Sequence, residues 1–177
     1  MGKLTVPVNK RDHMRGSPDA PVVMVEYGDF ECPHCGAAYP IVKKLESELP
    51  DTLAVVFRHF PLTTVHPHAE LAAEAAEAAG AQGRFWQMHD MLFENPDALA
   101  PDDLLKYAAA LGLDLKRFAH DLAEGTFATK VRGDVLSGVQ SGVTGTPTFF
   151  INGVRHLGGY DEASLLASIT QLAAGTP

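Results

Sequence analysis

The sequence predicts an α/β protein in which a βαβ unit and a ββα unit are separated by a run of helices. Three observations predict it. The β-branched run Val22-Val23-Met24-Val25 and the apolar run at residues 53–57 flank a stretch, from Pro33 to about Leu49, whose apolar positions recur every four residues. The middle of the chain is rich in Ala and Glu and carries only helical patterns. Near the end, Thr148-Phe149-Phe150-Ile151 runs into Asn152-Gly153, the strongest short-range hairpin signal in the chain.

Each element follows from local chemistry. Residues 1–20 are polar and irregular, with Gly16-Ser17-Pro18-Asp19 and Pro21 marking a turn, and are expected to form an arm or a short edge strand. Residues 22–27 make a buried strand, which Gly28-Asp29 breaks. In the following helix Ala37, Ile41, Leu45 and Leu49 define the apolar face; Pro33 suits a first turn, whereas Pro40 lies inside and is expected to kink it. Thr52 to Phe60 is a second buried strand closed by Pro61. Helices are expected over residues 69–79, where Glu70, Glu74 and Glu77 interleave with small apolar residues as in an amphipathic helix, and over 84–93, 101–111, 115–123 and 127–139. The hairpin pairs residues 148–151 with 154–157, and a last helix covers 161–173. No internal repeat emerges.

With 177 residues, 46% hydrophobic and 20% charged, the chain can bury a core without a disulfide staple. A net charge of -8 excludes a nucleic-acid binder, since phosphate contacts need a basic surface. No apolar run approaches a membrane span, and residues 3–15 contain no apolar core of the kind a secretory signal needs. The expectation is a monomer that touches neither nucleic acid nor membrane and resides in the cytoplasm, the alternative being an exported protein whose signal has been removed.

The two cysteines both fall in Cys32-Pro33-His34-Cys35, so whatever thiol chemistry the chain performs is performed there. A thiolate is the nucleophile in disulfide exchange, and a second thiol three residues on can resolve the mixed disulfide. At a helix start, Cys32 faces free backbone N–H groups and the positive end of the helix dipole, which favour the anion. Cys35, one turn in, is the resolving thiol. The Pro33-His34 pair tunes the site, His34 by a hydrogen bond or a positive charge on the thiolate. Were the Cys32 pKa to fall to about 4.5, the thiolate would stabilise the reduced form by roughly 3.4 kcal/mol at pH 7 and raise the potential by roughly 70 mV. The same spacing could serve half of a zinc site with His59, His66 and His68. A motif that follows a strand and opens a helix favours redox chemistry, and no metal is expected. Individually, His59, His66, His68 and His89 are read as structural polar groups, and Phe85, Trp86 and Phe93 as core of the inserted helices.

The segment Val25-Glu26-Tyr27-Gly28-Asp29-Phe30-Glu31-Cys32-Pro33-His34-Cys35, with Gly145-Thr146-Pro147-Thr148-Phe149-Phe150-Ile151-Asn152-Gly153, resembles the DsbA-like thioredoxin-fold family. Phe57-Arg58-His59-Phe60-Pro61-Leu62 and Gly83-Arg84-Phe85-Trp86-Gln87-Met88-His89-Asp90 resemble recurring segments of that family between the two. The resemblance implies a thioredoxin-like fold in a single DsbA-like domain over residues 21–177. Its core is expected at about 21–62 and 143–177, with the helical insertion, about 63–142, lying over the active site. It implies a cis peptide at Thr146-Pro147, with Pro147 facing the disulfide and the Thr146 backbone pairing with a bound peptide. It also implies that Glu26 is a buried proton acceptor behind the cysteines, the bland alternative being a strand-end carboxylate in solvent.

The expected function is therefore thiol–disulfide exchange with protein or peptide substrates and a further redox partner, using no cofactor beyond the Cys32–Cys35 disulfide. Whether the pair oxidises, reduces or isomerises is left open. The alternative is a non-enzymatic redox sensor or binding module switched by the same disulfide. Glutathione-dependent transferase chemistry is disfavoured by the second cysteine, which it does not require.

Overall fold

In the computed structural model, which describes residues 2–175, the chain builds a mixed five-stranded sheet in the order β1-β3-β2-β4-β5. Met1 of the expected arm and residues 176 and 177 of the expected 143–177 segment lie outside the described residues. The elements are β1 (His13–Arg15), β2 (Val22–Gly28), α1 (Pro33–Glu48), β3 (Leu53–His59), α2 (Ala69–Gly80), α3 (Phe85–Glu94), α4 (Pro101–Ala110), α5 (Leu115–Ala123), α6 (Ala128–Gln140), β4 (Thr148–Ile151), β5 (Val154–Arg155) and α7 (Glu162–Ala174). β2 and β3 are parallel and joined through α1, while the other pairings are antiparallel. The five helices α2 to α6 intervene between the βαβ and ββα units, as the sequence predicts.

The sheet is buried on both faces, which is why its central strands are nearly all apolar. Val22, Met24, Leu53, Val55, Phe149 and Ile151 pack against Ala38, Val42 and Leu45 of α1 and Leu165 and Ile169 of α7. On the other face Val25, Tyr27, Val56 and Phe150 meet Phe60 and Val143, with Val135 of α6 against them. A third cluster, built on Ala72, Ala76, Met88, Leu92, Leu104 and Phe118 of the inserted helices, also takes in Phe30, Cys32 and Cys35. The insertion and the cysteines thus share one core.

Several local expectations are corrected. The buried stripe of α1 is Cys35, Ala38, Val42 and Leu45, whereas Ala37 is exposed and Ile41 and Leu49 only half-buried. The helix presents the cysteine side to the sheet, and its apolar face is turned by one position. Pro40 lies inside α1, as expected. α2 is buried nearly all round rather than amphipathic, because the sheet and neighbouring helices cover it; Glu74 and Glu77 go inside with its alanines. Glu77 is satisfied there by His13 and His59. Gly28 is the last residue of β2 rather than a breaker; a Cβ there would lie 2.5 Å from the Phe57 ring, so the site needs a residue without one. β5 is two residues long. Asn152 and Gly153 both have positive φ, as a two-residue hairpin turn matching the strand twist requires.

The N-terminal arm is fastened to the sheet by a buried ion pair. Arg58, on the face opposite the cysteines, is 2% exposed and gives two bonds to Asp12 at 2.8 and 2.9 Å. Its remaining donors go to the carbonyls of Val6 and Pro7 and to the Tyr27 hydroxyl. Removing one partner of such a pair strands the other charge. Asp12→Ala is expected to cost about 3 kcal/mol, or roughly 6–12 °C in melting temperature for a chain of this size, measured by thermal unfolding at pH 7.

Candidate active site

The strand β2 delivers the chain to the site, and the residues that follow are held by one carboxylate. Asp29 is 1% exposed; one oxygen accepts the Glu31 N–H at 2.8 Å, while the other accepts the Leu62 N–H at 2.9 Å and meets His66 Nδ1 at 2.8 Å. The Cys32 N–H then donates to the Asp29 carbonyl at 3.2 Å. Phe30, between them, points into the core against Phe57 and Phe93, with ring centroids 5.2 and 4.8 Å away.

Cys32 is the N-cap residue of α1, in extended conformation, and Pro33 occupies the first helical turn, where its missing N–H costs nothing. Both cysteines are free thiols in this structure. Cys32 is only 5% exposed and sits at a nearly closed mouth, and Cys35 is wholly buried. The Cys32 thiol donates to the Thr146 carbonyl at 3.6 Å. The Cys32 pKa is lowered to about 5, first by hydrogen bonding from the Cys35 thiol; burial opposes this, and the Thr146 side chain and the backbone N–H groups of Cys35 and His34 add to it. The Thr146 hydroxyl is buried with no other partner, which leaves it available to the anion. Cys35 is driven strongly the other way, by burial, by the thiolate itself and by the charge of Glu26.

The His34 side chain gives the thiolate no hydrogen bond. Its imidazole is exposed, and Nδ1 meets the Tyr160 hydroxyl at 2.9 Å, so the ring is turned toward the segment before α7. What His34 gives the thiolate is its backbone N–H. Tyr160 itself was missed, since nothing in Gly158-Gly159-Tyr160-Asp161 beyond a turn signals it. Asp29, which the sequence marks only as the end of a strand, is the other such residue.

Glu26 lies on the α1 face of β2, beside Phe57 on one neighbouring strand and Phe149 on the other. It is 3% exposed and its Oε1 has no partner. Burial raises its pKa to about 8, with Glu46 adding and Arg15 opposing. The strand-end alternative therefore falls away. The Thr146–Pro147 peptide is cis. Beside Pro147 a groove opens between Thr148, His156, Leu157 and Tyr160, in which Leu157 is 75% exposed.

The remaining histidines separate by partner. His89 is buried among Phe57, Phe93 and Trp86 and bonded to Asp90 at 2.9 Å; burial lowers its pKa to about 4, so it is neutral. His59 binds Glu77, His66 binds Asp29 and His68 binds Glu31. Among the described residues, the one cluster with metal-ligand spacing is His59, Glu77 and Asp134, which includes neither cysteine. Lys130 already lies 2.7 Å from Asp134 and 3.8 Å from Glu77 there.

A βαβ unit whose helix opens on Cys-x-x-Cys, answered across the sheet by a cis-proline turn ahead of a ββα unit, defines a thioredoxin-fold protein. A family model described as Thioredoxin matches residues 8–171. BdbD from Bacillus subtilis, in its oxidised form, superposes with a TM-score of 0.87 at 25% identity, covering 98% of this chain and 97% of that one. A thioredoxin-like oxidoreductase from Silicibacter pomeroyi gives 0.82 at 25% identity over 96% and 95%, and a variant of alpha-DsbA1 from Wolbachia pipientis gives 0.81 at 25% over 98% and 95%. The chain belongs to the thioredoxin family, and within it to the DsbA-like thiol–disulfide oxidoreductases. In sequence it is also 53% identical over 174 residues to the Na(+)/H(+) antiporter NhaA 1 of Salinispora arenicola, and 44% over 162 residues to that of a Mycobacterium species, strain KMS. These matches cover 98% and 90% of the chain, which spans about a quarter of the length of those curated relatives, 26% in both cases. No helix among the described residues is long and apolar enough to cross a membrane.

Two outcomes follow from the unequal ionisation. Alkylation of the reduced protein by iodoacetamide should modify Cys32 alone, with a rate that rises through a midpoint near pH 5. Because the Glu26 pKa is raised on folding, its ionisation destabilises the native state as pH climbs from about 4.5 to about 8. Glu26→Gln should therefore raise the melting temperature at pH 8 and change it little at pH 4.

Proposed function

We propose that the chain exchanges disulfides with protein or peptide thiols through the Cys32–Cys35 pair, and that it favours oxidation of the substrate. The observation that carries this is the separation of the two thiols: Cys32 is an anion at neutral pH and Cys35 is not. A substrate thiolate attacks Sγ of Cys32 in the Cys32–Cys35 disulfide, forming a mixed disulfide and releasing Cys35. The leaving sulfur is strongly basic and takes a proton from Glu26, which is largely protonated at pH 7. A second substrate thiolate then attacks the substrate sulfur of the mixed disulfide, and Cys32 leaves as a stabilised thiolate. Two electrons have passed from the substrate dithiol to the pair, with no cofactor involved.

The direction follows from magnitude. A Cys32 pKa of about 5 stabilises the reduced protein by up to about 2.7 kcal/mol at pH 7, and by about 2 kcal/mol once solvent screening at the mouth is allowed for. That raises the reduction potential by about 40 mV over a pair with ordinary thiols. The gain grows above pH 5 and vanishes as pH falls through it.

Pro147 and the Thr146 backbone border the sulfur and can hold an extended peptide, whose side chain enters the groove beside Tyr160. Every group the exchange needs comes from one chain, so a monomer suffices. A further disulfide-bearing partner must reoxidise Cys32 and Cys35. The cytoplasmic location expected from the sequence gains no support from the relatives. The exported alternative suits a pair that works only where it is kept oxidised. Ion exchange belongs to the antiporter relatives as wholes, three quarters of which this chain does not match.

Oxidative refolding of a reduced disulfide-containing protein tests the proposal. Wild type should accelerate it, Cys32→Ser should abolish the effect, and Glu26→Gln should slow it by at least about tenfold. Reversible oxidation of the pair with no refolding activity would favour the sensor reading instead.

A further inference from the structure

Two carboxylate–histidine pairs, in matching register, fasten the segment before Cys32 to the loop between β3 and α2. Asp29 and Glu31 are two residues apart, as are His66 and His68. His66 Nδ1 lies 2.8 Å from Asp29 and His68 Nδ1 lies 2.9 Å from Glu31, while the His68 backbone N–H donates to the other Glu31 oxygen at 2.7 Å. Asp29 is buried and the His66 side chain only 18% exposed, whereas His68 is half in solvent. Since a carboxylate only accepts, Nδ1 of each ring carries a proton whether or not the ring is charged. What titrates on His66 is the second proton, and with it a full positive charge on this loop.

We propose that His66 is a positioning residue for Cys32: seated on Asp29, its imidazolium stabilises the thiolate, so the potential of the Cys32–Cys35 pair follows the protonation of His66 as well as that of the thiol. The charged and titratable groups that face His66 are Asp29, Glu31 and Cys32, all from the segment between β2 and α1; His68 follows on its own loop. Burial disfavours the charged ring, but the bond to Asp29, its charge, and then Cys32 and Glu31 outweigh this and raise the His66 pKa. The imidazolium is thereby retained higher into the neutral range, where a proton can come and go.

The proposal rests on Cys32 being the reacting thiol, yet it can be tested without turnover because the coupling is reciprocal. Whatever the imidazolium does for the thiolate, the thiolate does for the imidazolium, and a disulfide carries no charge. Imidazole proton resonances of the whole chain, titrated from pH 5 to 9 in the reduced and the disulfide form, read this directly. The His66 midpoint should fall by about half a unit, about threefold in proton affinity, when the disulfide forms. An unchanged His66 midpoint overturns the proposal. In the second measurement, His66→Asn, which keeps a donor for Asp29 without a charge, should raise the Cys32 alkylation midpoint by a similar amount, and His66→Arg should leave it low. Equal rises in both variants overturn the proposal, because the loop's shape rather than its charge would then be responsible. If His66→Asn fails to fold, the wild-type comparison between redox states decides alone. A coupled His66 in a protein without refolding activity would sink the proposed function and leave the coupling standing.

Discussion

A negative charge has to be kept at the rim of an apolar core, and the start of α1 is what makes that possible. Cys32 sits where the helix leaves backbone N–H groups unpaired, and the helix cannot begin earlier because Asp29 holds the three preceding residues in a turn. Moving the first helical residue by one would carry the sulfur away from these donors and away from the Thr146 carbonyl. The aromatic packing of Phe30 beneath the loop, the cis turn at Pro147 and the carboxylate of Asp29 all act on this one placement.

The same core gives the two sulfurs opposite characters. Desolvation acts on both, but only Cys32 has compensating donors, so burial that mildly opposes one anion forbids the other. Glu26 shares the fate of Cys35: a carboxyl without a partner, held proton-bearing by the strands around it. A buried unpaired carboxyl is a poor stabiliser, and retaining one behind a cysteine costs native-state stability wherever the pH asks it to ionise.

Local chemistry made most of the fold legible, because strands buried on both faces, Asn152-Gly153 and the helix-opening Pro33 each leave a short-range mark in the sequence. The helix faces were less legible. Counting apolar residues in α1 picks out Ala37, Ile41 and Leu49, whereas packing selects Cys35, Ala38 and Val42, because the helix is rotated to bring Cys35 into the core and a four-residue count does not register that rotation. At the site, Cys32 and Cys35 were plain from spacing, and Thr146 and Pro147 from resemblance. The engagement of His34 with Tyr160, the role of Asp29 and the covering of Cys32 depend on contacts between residues more than thirty or a hundred positions apart, which no local pattern records.

The arm that Arg58 secures has an effect beyond stability. It lays β1 along the outer side of β3, then reaches the opposite margin of the sheet, where Lys3 bridges to Val154 and the Arg155 N–H donates to Gly2. One polypeptide end thus occupies both borders of its own sheet. Among the described residues the sheet therefore ends on each side in a short piece of the same arm, three residues of β1 beyond β3 and a single bridge beyond β5, so neither border presents a long strand edge for another chain to extend. The turn at Thr146, whose carbonyl meets the Cys32 sulfur at 3.6 Å, leads instead into β4, inside the sheet.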